Sequence, residues 1–149
     1  MSSLEQIKKL REETGISLAE CQKAIIEAGD DLEKAKEILR GRGREVVKKK
    51  SERQVCSGLI ESYIHPSRKI GVLLDIRCET DFVASNKDFQ SLAHELCLQI
   101  AAMNSENKES LLEEPWVKDE SRKIKEVIAE KIAKLGENIV VEKFIRFDI

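Results

Sequence analysis

Apolar positions recur along this chain with two different periods, and the changes between them mark out its parts. In the first forty residues apolar side chains return every three or four positions in three short runs, the spacing of amphipathic helices. Ser3 with Gln6 reads as a capping box ahead of Leu4, Ile7 and Leu10, and Thr14-Gly15 closes that run. Ser17 with Glu20 opens a second helix carrying Leu18, Cys21, Ala24, Ile25 and Ala28 up to Gly29. Asp30 with Glu33 opens a third, which buries Leu32, Ala35, Ile38 and Leu39 before Gly41. Three such helices close only a small core, marginal by itself. Residues 42–54 have little apolar periodicity; they either extend the third helix or form an exposed connector.

From Val55 the period falls to two. Leu59 to His65 and Ile70 to Cys78 read as strands joined by a turn at His65-Pro66-Ser67-Arg68. Ser85 with Asp88 predicts a helix carrying Phe89, Leu92, Ala93, Leu96, Ile100 and Met103, and residues 104–115 are polar with no strong pattern. Asp119 or Ser121 opens another helix, with Ile124, Val127, Ile128, Ile132 and Leu135, closed by Gly136. Ile139 to Phe147 reads as a strand that is apolar on both faces. The order β-β-α-α-β predicts an α+β fold: a small antiparallel sheet with helices on one face. Its other face, partly apolar, calls for a cover, and pairing with a second copy is the simplest one.

Between the second strand and the next helix lies Cys78-Glu79-Thr80-Asp81-Phe82-Val83. A carboxylate beside a large ring, on a connection held by regular structure at both ends, suits insertion into a partner. The other three phenylalanines fall on periodic apolar faces; Phe82 is the exception. Spacing alone leaves an alternative in which Phe82 starts the helix core against Ala93 or Leu96. Asp81 could equally be a solvated carboxylate or a cap, Arg11 a solvated side chain, and Leu18 a core residue.

Composition narrows the classes. The chain has 149 residues, 41% hydrophobic and 36% charged. It lacks an apolar run of about 18 residues and a charged-then-apolar leader, so a cytoplasmic protein with no membrane contact is the expectation. The net charge of −2 is segregated. Residues 40–53 carry seven basic side chains (Arg40, Arg42, Arg44, Lys48, Lys49, Lys50, Arg53) against two acidic ones. That belt raises an alternative function, a nucleic-acid-binding adaptor. Against it, no aromatic residue is interleaved for base stacking. Cys21, Cys56, Cys78 and Cys97 form no C-x-x-C pair and sit as small buried hydrophobes would, reduced in this compartment. His94 with Cys97, or Cys78 with Glu79, is too little for a metal site or a nucleophilic enzyme. No catalytic residue, metal or cofactor is assigned.

Two stretches resemble the signatures of the elongation factor Ts family: Leu10-Arg11-Glu12-Glu13-Thr14-Gly15-Ile16-Ser17-Leu18-Ala19-Glu20-Cys21-Gln22-Lys23-Ala24-Ile25, and Asp75-Ile76-Arg77-Cys78-Glu79-Thr80-Asp81-Phe82-Val83-Ala84. Gly136-Glu137-Asn138-Ile139 followed by Arg146-Phe147 is similar to that family's C-terminal segment. The resemblance implies a three-helix module similar to ubiquitin-associated domains over residues 1–41, a basic linker over 42–54, and an α+β core and dimerisation domain over 55–149. It implies guanine-nucleotide exchange on translation elongation factor Tu, GDP-bound and nucleotide-free, by a protein that is not an enzyme and binds no nucleic acid. Arg11, Leu18 and Ala19 would dock the module. Thr80, Asp81, Phe82 and Val83 would form the loop that disturbs the partner's magnesium site, with Asp81 and Phe82 intruding. Ala19 stands where the family usually has a larger apolar residue, and Gln22 where lysine is common. Residues 104–115 occupy the place of a long helical hairpin in many relatives. Long relatives hold two core subdomains; short ones supply the second by pairing two chains.

Overall fold

The computed structural model describes residues 4–149, which divide between Lys49 and Lys50 into two compact units. Ser3, and with it the first capping box, lies outside the described residues. The N-terminal unit has three helices: α1 (Leu4–Thr14), α2 (Leu18–Glu27) and α3 (Leu32–Lys50). Ile7, Leu10, Cys21, Ala24, Ile25, Ala35 and Leu39 form its core. Two positions on the expected apolar stripes are exposed: Leu4 at 74%, and Leu18, named above as a docking contact or alternatively a core residue, at 46%. Ser17 caps α2, accepting from the Glu20 amide. The cap of α3 is Asp31 rather than Asp30: its Oδ1 accepts from the amides of Glu33 at 3.0 Å and Lys34 at 3.2 Å. Gly29 and Asp30 both take positive φ, so the chain is still turning there. Nor does α3 stop at Gly41; it runs on to Lys50, and Arg42 pairs with Glu20 and Glu27 of α2.

In the second unit β1 (Ser57–Ile64) pairs antiparallel with β2 (Ile70–Cys78). The elements α4 (Asp81–Ala84), α5 (Lys87–Met103), α6 (Lys108–Glu113), β3 (Pro115–Trp116), β4 (Asp119–Lys123), α7 (Ile124–Leu135) and β5 (Ile139–Asp148) follow. The sheet order is β1-β2-β5, all antiparallel, with an irregularity between Asp75 and Ile76. This is the expected α+β architecture. Val72, Leu74, Ile76 and Cys78 alternate inward on β2 and meet Phe89, Leu92, Leu96 and Ile100 of α5, all buried. A second layer adds Leu111, Ile124, Val127, Ile128 and Ile132. The open face carries Ile60 and Ile64 of β1, Leu73 of β2, and Ile145 and Phe147 of β5, all exposed. Gly71 lies between Ile64 and Phe147 in the register.

Three local expectations are corrected. The long helix starts at Lys87, capped by Asn86, whose side chain accepts from the Asp88 amide at 2.7 Å; Ser85 instead ends the preceding turn. Asp119–Lys123 is a strand, paired with Pro115–Trp116 and steadied by Arg122 lying 4.9 Å over the Trp116 ring, so the helix opens only at Ile124. Residues 104–115, patternless in sequence, contain α6 and the start of that hairpin. The buried Gln99 amide holds the hairpin, donating to Pro115 O and Glu114 and accepting from the Val117 amide.

Candidate functional site

The segment after β2 does not form an open loop. Thr80 is extended and caps a single helical turn, its hydroxyl accepting from the Val83 amide at 3.4 Å. Backbone bonds from Ala84 to Thr80 and from Ser85 to Asp81 close that turn. One turn cannot hold itself together in water, so its neighbours fix it. Val83 is the inward anchor, 5% exposed. Phe82 points the other way and is 84% exposed, which excludes the alternative of core packing against Ala93 or Leu96; Phe89 fills that role. Phe82 is thus a large ring held out in water from a turn whose next residue is fastened into the core.

Side chains from three other places converge here. Asp81 accepts a hydrogen bond from the Ser57 hydroxyl at the start of β1. The neighbouring Gly58 has φ 146, and a Cβ there would meet Ile76 O at 2.2 Å, so only glycine lets β1 begin this close to β2. The Cys78 thiol donates to Thr80 O at 3.2 Å; burial, ahead of the nearby Glu137 carboxylate, pushes the thiol up and keeps it protonated. Glu137 accepts from the amides of Glu79 and Thr80 and from the Thr80 hydroxyl, at 3.1, 2.9 and 2.7 Å. Glu79 in turn accepts from the Asn138 amide at 2.7 Å and lies 3.7 Å from Arg53. Ser57, Asn138 and the clamping part of Glu137 were not read from the sequence. Gly136-Glu137-Asn138 was visible only as a likeness, because its partners lie nearly sixty positions away.

In the N-terminal unit Arg11 lies in the last turn of α1 and is exposed, while Leu18 and Ala19 begin α2 and are also exposed. The turn at Gly15, whose φ is 70 and whose amide donates to Arg11 O at 2.7 Å, links the end of α1 to the start of α2. The basic segment is partly engaged within the fold: Arg42 with two glutamates, the Lys50 ammonium with Gly136 O at 2.7 Å, and Arg53 with Glu79.

The remaining candidate chemistry does not assemble. Cys97 is buried, its thiol pushed up to about 12 by burial, whereas His94 is exposed and meets the Tyr63 ring edge-on at 6.3 Å. Cys56 is exposed rather than buried, because it precedes β1 instead of lying in it. Among the described residues no cluster of three potential metal ligands occurs, and no helix is long and apolar enough to cross a membrane.

The family model described as elongation factor TS matches residues 79–149, from the anchored turn to the last residue. Three relatives named elongation factor Ts align with nearly the whole chain. That of Coprothermobacter proteolyticus is 40% identical, covering 96% of this chain and 95% of its own. The Thermodesulfovibrio yellowstonii protein is 37% identical, covering 97% and 94%. The Herpetosiphon aurantiacus protein is 36% identical, covering 99% and 97%. The first of these alignments is 188 positions long against a chain of 149 residues, so that relative carries substantial sequence without a counterpart here.

Proposed function

The chain belongs to the elongation factor Ts family and is thereby a translation elongation factor; from that premise we propose that it is a cytoplasmic nucleotide-exchange factor for elongation factor Tu. Such a factor makes and breaks no covalent bond. It binds the nucleotide-free partner more tightly than the GDP-bound one, and linkage then weakens GDP binding by the same factor. The observation that carries this reading is Phe82, 84% exposed on a turn fastened by Val83 and Thr80. Burying that ring in a pocket open only in the empty partner supplies about 1.5–3 kcal/mol. Because each 1.4 kcal/mol is tenfold, the ring alone shifts GDP affinity roughly 10- to 100-fold. Thr80 and Val83 fix the turn, and Asp81, aligned by Ser57, accepts hydrogen bonds from partner groups that hold the magnesium or phosphate. Magnesium demands near-octahedral ligands, so a small displacement of one is costly.

Residues 1–41 act as the docking module through Arg11, Leu18 and Ala19, and residues 42–54 tether it to the 55–149 core. Docking keeps the wedge at high local concentration. Two chains pair through the open sheet face, where Ile60, Ile64, Leu73, Ile145 and Phe147 are exposed. The nucleic-acid alternative is less favoured because Arg42, Lys50 and Arg53 have partners within the fold.

The test is release of labelled GDP from elongation factor Tu, with and without this protein. Accelerated release is expected; a rate unchanged at saturating protein refutes the proposal.

A further inference from the structure

On the reading that Phe82 is the wedge, we infer that Glu137 is a positioning residue for exchange: its carboxylate sets the turn that aims the ring. Its two oxygens collect the three donors at the head of α4, the Glu79 and Thr80 amides and the Thr80 hydroxyl. A four-residue helix has no stability of its own, so whatever fixes Thr80 fixes the direction of Phe82 two residues on. Val83 anchors one end of that turn in the core; Glu137 anchors the other.

The clamp is itself held. Gly136 takes φ 78 and its carbonyl accepts from the Lys50 ammonium. The Asn138 amide donates to Glu79, and the Asn138 side chain donates to Arg53 O at 3.0 Å. Segments 79–80 and 137–138 therefore grip each other reciprocally, and residues 50–53 are fastened to the same grip. A charge-assisted clamp that is made before the partner arrives removes the ordering cost of the wedge at the moment of insertion.

The bonding pattern makes reach, rather than charge, the critical property of the side chain. A glutamine at 137 keeps one oxygen on both backbone amides, and the Thr80 hydroxyl can turn to accept from its amide nitrogen. An aspartate keeps the charge but withdraws both oxygens by one methylene.

The experiment is GDP release from elongation factor Tu across a range of concentrations of the full chain, for wild type, Glu137→Ala, Glu137→Asp and Glu137→Gln, each checked for cooperative thermal unfolding above the assay temperature. Glu137→Ala and Glu137→Asp should lower the maximal rate about tenfold, the loss expected when one or two net hydrogen bonds of the clamp are broken. Their half-saturating concentrations should stay within about twofold of wild type, because docking on the GDP-bound partner precedes insertion. Glu137→Gln should recover to within about threefold. Should Glu137→Ala fail to fold, the contrast between aspartate and glutamine carries the test. A maximal rate unchanged in both short variants, or an aspartate more active than the glutamine, overturns the clamp. A wild-type chain that does not accelerate release overturns the exchange reading itself, and the clamp's role with it.

Discussion

Phe147→Ala should weaken pairing of two chains while leaving each chain's own fold intact. Phe147 is 66% exposed on β5 and pairs with Gly71 in the register, where the Ile64 side chain lies over the glycine. Fully burying a phenylalanine is worth about 1.5–3 kcal/mol, so covering the exposed two-thirds recovers roughly 1–2 kcal/mol. In a two-fold interface the same truncation is made twice, giving roughly 2–4 kcal/mol, or about 30- to 1000-fold in the dimer dissociation constant. Light scattering across a dilution series reads that shift directly, and thermal unfolding extrapolated to low concentration reads the protomer. The expected result is a pairing midpoint moved to much higher concentration with the protomer melt little changed. A wild-type chain that stays monomeric at high micromolar concentration refutes the pairing. So does a Phe147→Ala variant with an unmoved midpoint.

Two further outcomes follow from other parts of the molecule. Leu18 is 46% exposed, so Leu18→Ala should cost about 1 kcal/mol in docking and raise the half-saturating concentration roughly fivefold; a lowered maximal rate with unchanged half-saturation contradicts its role. The Arg77 guanidinium, bonded twice to Asp75 at 3.1 Å, holds that carboxyl below the usual range. A depressed carboxylate stabilises the fold fully above its unfolded value of about 3.9 and loses that contribution as pH falls through the lower folded value. Asp75→Asn should therefore melt below wild type at neutral pH, with the two curves converging near the acid end; a gap that is constant with pH contradicts this.

Strong periodicity made the sheet and its covering helix legible. Ile70–Cys78 alternates without a break, and Phe89, Leu92, Leu96 and Ile100 return at helical spacing, so burial dictates both. The turn Asp81–Ala84 is too short to show a period and reads as a loop. Asp119–Lys123 has the charges of a first helical turn; its strand state depends on pairing with Pro115–Trp116 and on Arg122 over the indole. Leu18 fits the helical stripe in sequence, yet the stripe ends before it in space. The outward ring stands out in the sequence because it breaks the pattern around it. Its supports do not stand out, for the opposite reason: Ser57, Glu137 and Asn138 are ordinary polar residues whose meaning comes from partners 24 to 59 positions away.

The most direct measurement is the maximal rate of GDP release from elongation factor Tu driven by saturating wild-type protein and by Phe82→Ala. With 84% of its surface in water, the ring contributes little to the protomer, so the variant should fold normally and lose roughly 10- to 100-fold in rate. Equal rates for the two proteins would contradict the wedge.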